Sequence, residues 1–171
     1  MSATTEMFET WRRPAQVMRR KLDRGVGEEH ALILLFAACF LFYVAQWPRL
    51  SREAHLGLTR AQEAGLPLDD VPGIQALLGI NLFAFLFMVP LIFYGIAALS
   101  RLILRLFGAK IDPLAARIAL FQALLCTAPL MLFQGLLAGF SGPGLSVTAV
   151  GVVIAIAFLW LWSRLLREAM R

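Results

Sequence analysis

The chain has 171 residues, of which 60% are hydrophobic and 16% charged; its net charge is +5 and its mean hydropathy +0.74. An average soluble domain is about 45–50% apolar and about 25% charged, and a soluble chain of this size cannot bury so much apolar surface. Most of it must face lipid or a membrane-embedded bundle, which excludes a disordered chain, a collagen, a disulfide-stapled secreted domain and a water-soluble enzyme.

Residues 1–29 form a basic amphipathic arm. Phe8, Trp11, Ala15, Met18 and Leu22 recur at alternating spacings of three and four, one stripe on a helix. Pro14 interrupts the stripe and predicts two short helices, with the proline in the first turn of the second. Arg12, Arg13, Arg19, Arg20, Lys21 and Arg24 surround the stripe. A basic helix with such a face is expected to lie flat among lipid head groups, with Trp11, Arg12, Arg13, Arg19 and Arg20 as contacts. The competing reading is a solvated arm that packs on nothing.

Residues 30–171 read as a four-span domain. Span 1 covers about 31–47, preceded by Glu28, Glu29 and His30 and closed by Trp47-Pro48-Arg49. This run starts after a long polar segment, exceeds the apolar core of a signal peptide and has no small-residue cleavage site after it, so a retained span is expected. The longest loop, 48–73, offers a short helix over 51–64, with Ser51 as cap and Gly65 past its end. Pro67, Asp69-Asp70 and Val71-Pro72-Gly73 then break the chain.

Span 2 covers about 74–99, and Pro90 inside it predicts a bend just before the proline. Its helix is expected to continue to Phe107, with Arg101 and Arg105 on one face at head-group level and Gly108 as the stop. Span 3 covers about 114–138, with Asp112 as cap, Pro113 in the first helical position and Pro129 inside. The uncharged turn 140–144 leads to span 4, about 145–162. An all-α, polytopic four-helix transmembrane bundle with an N-terminal interfacial helix is therefore predicted. The topology with both termini inside places 13 Lys and Arg on the cytoplasmic side and 3 outside, as the positive-inside rule requires. Fourteen Arg against two Lys point to a GC-rich bacterium, hence to its inner (cytoplasmic) membrane.

No ionisable residue stands near the centre of a span, which argues against a proton-coupled pump, an intramembrane hydrolase and bound haem. Arg117 lies about one turn into span 3, where it can snorkel to the head groups or pair with Asp112. Asn81, Gln122 and Gln134 are the polar residues expected inside, as hydrogen-bonded helix glue. Ala115, Ala119 and Ala123 on span 3, Gly135 and Gly139 beyond them, and Gly151 and Ala155 on span 4 are small residues at four-residue spacing. They predict that spans 3 and 4 pack closely, with each other or against a partner. Cys39 and Cys126 read as buried small hydrophobes, and no metal-ligand spacing occurs.

The layout resembles the bacterial branch of the Yip1-domain membrane proteins. The resemblance spans about residues 10–166: the Pro-containing basic arm, the second span ending in 99–108, the third span with Pro129, and the Gly/Pro-rich turn. It implies a small helical integral membrane protein with no known enzymatic centre; the family's eukaryotic members, tied to vesicle trafficking and small GTPases, usually have five spans. The expected function is a non-enzymatic scaffold or accessory subunit without cofactor, metal or nucleic acid. Its expected partners are anionic lipids and other membrane subunits or further copies of itself. The alternatives are a small transporter or lipid-handling protein with Pro90, Pro129, Asn81, Gln122 and Gln134 along a path, and a membrane-remodelling protein acting through the arm.

Overall fold

The computed structural model describes residues 3–68, 71–108 and 111–170, with side chains from Thr5 onward. Asp69-Asp70, read above as a chain break, and Lys110 and Arg171, counted in the charge balance, lie outside the described residues. Those described are helical, with no strand among them: α1 (Ala3–Arg12), α2 (Pro14–Asp23), α3 (Glu28–Glu63), α4 (Ile74–Phe83), a π-helical turn (Ala84–Met88), α5 (Val89–Leu106), α6 (Pro113–Ser141) and α7 (Leu145–Ala169). Four helical stretches are long and apolar enough to cross a membrane: Glu28–Glu63, Ile74–Leu106, Pro113–Ser141 and Leu145–Ala169. This fits a multi-pass membrane protein.

The central helix is α6. The Asp112 carboxylate accepts from the backbone N–H groups of Leu114 (3.0 Å) and Ala115 (3.2 Å), and Pro113 occupies the first turn. Its first half, from Ala115 to Ala128, is buried except at Arg117. Helix α3 lies beside it and runs in the same direction, because Glu28 meets Arg117, Ala45 meets Gly135 and Pro48 meets Gly139. The approach at Gly135 is so close that a Cβ would run into the Ala45 carbonyl. Small residues therefore seat span 3 against span 1, a pairing that the expected contact between spans 3 and 4 left out. Helix α7 packs on another side of α6, with Gly151 against the Gln134 amide.

Span 1 does not stop at Pro48. Helix α3 continues through the proline to Glu63, so the short helix expected from Ser51 is the end of this same helix. A proline removes one backbone donor, and such a loss is tolerated in a membrane helix whose neighbours accommodate the break. Here the ring rests against Gly139, where no side chain competes for the space. The extension carries Arg52 over the end of α6, where its guanidinium donates to the carbonyls of Phe140 (3.2 Å) and Gly139 (3.4 Å). A cation at a helix C-terminus satisfies orphan carbonyls and complements the helix dipole.

The second crossing departs from α-helix where a bend was expected. The π-helical turn ends at Met88, two residues before Pro90. A π-turn widens the backbone by one residue per hydrogen bond and accommodates a residue that cannot donate. This crossing stands on the bundle's flank: 6% of its most apolar stretch is buried.

Candidate functional site: a buried polar cluster under an N-terminal hairpin

Helices α1 and α2 fold as a hairpin against the side of the bundle, α1 meeting the middle of α6 and α2 meeting α7. Val17 and Met18 of α2 are buried at 2% and 1% exposure. The arm thus packs on the bundle, which corrects the reading of a solvated arm. The predicted stripe is also rotated: Phe8 is 76% exposed, while Thr10 and Lys21 are buried. The inward face of α1 carries Glu6 and Thr10, one helical turn apart, because their partners inside are polar.

The Lys21 ammonium, 6% exposed, is the centre of the cluster. It pairs with the Glu6 carboxylate at 2.6 Å, donates to Gln122 Oε1 at 2.8 Å and lies 3.0 Å from His30 Nε2. An ammonium has three donors and no lone pair, so the facing His30 nitrogen is the acceptor and carries no proton. The Gln122 amide donates to Thr10 Oγ1 (3.2 Å) and Cys126 Sγ (3.5 Å), and the Thr10 hydroxyl donates to the Glu6 carbonyl (2.7 Å). The Trp11 indole N–H donates to the Cys126 carbonyl at 3.1 Å, one turn before Pro129. Helices α1, α2, α3 and α6 each contribute a polar group, so the cluster exists only when all four are in place.

Further ion pairs surround it. Arg20 pairs with Glu9, and Arg19 pairs with Glu168 of α7. The Arg20 guanidinium beside Glu9 holds that carboxyl below its ordinary value, and Glu9 raises Arg20 in turn. Arg117 pairs with Glu28 at 2.7 Å, not with Asp112, whose carboxylate is engaged by the α6 backbone. Tyr94 donates to the other Glu28 oxygen at 2.8 Å, and the Arg117 guanidinium stands 5.3 Å from the Tyr94 ring centre. Cation–π contact adds to the ion pair in such a geometry.

Of the residues assigned to lipid head groups, Trp11, Arg19, Arg20 and Arg117 are bonded to groups of the chain itself. Arg12, Arg13 and Arg105 are exposed and Arg101 is half-buried. Of the small residues, Ala115, Ala119 and Ala123 are buried on α6. Ala155 is exposed on α7 and takes no part in packing within the chain, because the contact face of α7 passes through Ile154, Leu161 and Leu165 instead. Of the amides, Gln122 joins the cluster and the Gln134 amide donates to the Val147 carbonyl of α7 at 3.2 Å. Asn81 donates to the Leu77 carbonyl of its own helix at 3.0 Å, so it glues no helices together here.

Glu6, Thr10, Lys21, His30, Glu28 and Glu168 escaped the sequence reading. Each lies outside the apolar runs, where charge reads as solvated surface. The available signal was the pairing of acids and bases at helical spacing in the arm, Glu6 and Glu9 against Arg20 and Lys21. Among the described residues no group of three or more His, Cys, Asp or Glu is placed to hold a metal ion. An open cleft of about 610 Å³ lies on the hairpin itself, lined by Thr5, Phe8, Glu9, Arg12 and Arg13. Two more lie between the hairpin and the bundle. One, of about 530 Å³, is almost wholly apolar and lies between α1, α6 and α7; the other, of about 450 Å³, opens at the α1–α2 turn beside the end of α7. Comparison with protein-family models, curated proteins and solved structures finds no match, and the resemblance to Yip1-domain proteins gains no support from it.

Proposed function

We propose that this chain is a non-enzymatic scaffold or accessory subunit of a bacterial inner-membrane assembly, with both termini in the cytoplasm. The observation that carries the reading is the crossing built from α4 and α5. It is 33 residues long and apolar throughout its middle, and one side of it, through Phe85, Val89, Phe93, Tyr94 and Ala97, meets the core while 6% of its most apolar stretch is buried. Helix α4 has no buried residue, and Leu82, Leu86, Leu91 and Leu99 are all exposed. Contiguous apolar surface of this extent is covered in the membrane by lipid or by another helix. The bundle is fixed by polar latches elsewhere, so a partner can occupy this flank without disturbing the fold.

The test is a photo-crosslinking amino acid at position 86 or 99, irradiated in native membranes. A discrete protein adduct that also co-purifies in mild detergent is the expected outcome. Adducts to lipid alone, at both positions, overturn the reading. The membrane-remodelling alternative is less well supported, because Val17 and Met18 of the arm are buried against the bundle rather than available to lipid.

A further inference from the structure

The two clefts that the hairpin shares with α7 are consecutive. Helix α7 sends Val153 and Ala157 to the apolar cleft and Trp160, Arg164 and Arg167 to the other. These positions follow at spacings of three and four, so they form one continuous face along the helix. The hairpin does the same from the opposite side: Phe8 and Trp11 line the apolar cleft, and the next residues, Arg12 and Arg13, line the basic one. Pro129 and Leu130 of α6 close the apolar end.

Charge differs sharply between the two ends. Arg12, Arg13, Arg164 and Arg167 converge on the second cleft, and none of them is in an ion pair among the described residues. The lone carboxylate there, Glu168, is held by Arg19. Arg164 stands over the Trp160 ring at 5.7 Å, with Trp160 where apolar and basic ends meet. Tryptophan favours that level of a bilayer. From Val153 to Trp160 the helix rises about 10 Å, which fits within the roughly 15 Å hydrocarbon depth of one leaflet.

We propose that these two clefts are one binding site for an anionic phospholipid. An acyl chain lies against Phe8, Trp11, Pro129, Leu130, Val153 and Ala157, and the phosphate is held by Arg12, Arg13, Arg164 and Arg167. Guanidinium groups match phosphate oxygens in bidentate geometry, and an apolar slot alone does not select a head group. The site is independent of the flank formed by α4 and α5 and of what covers it.

The test uses the full chain in detergent with added phosphatidylglycerol or phosphatidylcholine and native mass spectrometry of the lipid retained. One phosphatidylglycerol per chain is expected, retained at least tenfold better than phosphatidylcholine. The double variant Arg164→Gln, Arg167→Gln and, separately, the exposed pair Arg12→Gln, Arg13→Gln should each erase most of that preference. Ala157→Phe, which fills the apolar slot, should lower retention of both lipids. Equal retention of the two lipids by the wild-type chain overturns the proposal, as does an unchanged preference in both arginine variants.

Discussion

Lys21 is the residue on which the hairpin turns. Its ammonium is removed from water and compensated by a carboxylate, an amide oxygen and an imidazole nitrogen. Deleting one partner of a buried pair leaves the other uncompensated, which costs about 3–5 kcal/mol. Glu6 keeps a side-chain exposure of 29%, so Lys21→Met should destabilise by about 3 kcal/mol, the lower end. Thermal unfolding in detergent measures this directly. Adding Glu6→Gln to Lys21→Met should recover part of the loss, since the stranded carboxylate is gone; a double variant no more stable than the single one contradicts the pairing. The sequence marked Gln122 as a buried amide but did not mark Lys21 as its partner. Lys21 sits among five arginines and reads as surface, and only the fold brings Gln122 to it from 101 residues away.

At the scale of elements, helix starts and ends were more legible than helix partners. Asp112-Pro113 marks the start of α6 because both residues act locally, one as cap and one as a preset backbone angle. Pro14 divides α1 from α2 for the same reason. Pro48 looked like a stop by the same local logic, yet α3 continues through it, because Gly139 of a distant helix makes room. The small residues of α6 pointed to span 4 or a partner as the neighbour; α7 does pack on α6, but Gly135 and Gly139 meet α3. Gly135→Val should therefore force α3 and α6 apart, at a cost of about 3 kcal/mol or more. Gly79→Ala is the matched control: nothing lies within 4 Å of a Cβ there, so it should leave stability unchanged or slightly improved. Equal melting temperatures for the two variants contradict the close approach.

At the scale of the whole molecule, composition announced a membrane protein and the apolar runs its four spans, because the length of a run survives errors at its boundaries. What it could not announce is the asymmetry of the bundle. Helices α3, α6 and α7 form a packed core, the crossing of α4 and α5 stands on its flank, and the N-terminal hairpin docks on its side through Val17, Met18 and the polar cluster. That docking joins the proposed lipid site to the bundle, since the hairpin forms one wall of both clefts. The docked hairpin is thus the central claim, and one disulfide tests it. Thr10 Oγ1 and Cys126 Sγ lie on the same Gln122 amide, at 3.2 and 3.5 Å. In membranes carrying Thr10→Cys with Cys39→Ser, mild oxidation should join residues 10 and 126 within one chain and block both thiols to alkylation. Two freely alkylated thiols after oxidation, in a chain that still inserts and folds, would contradict the docking.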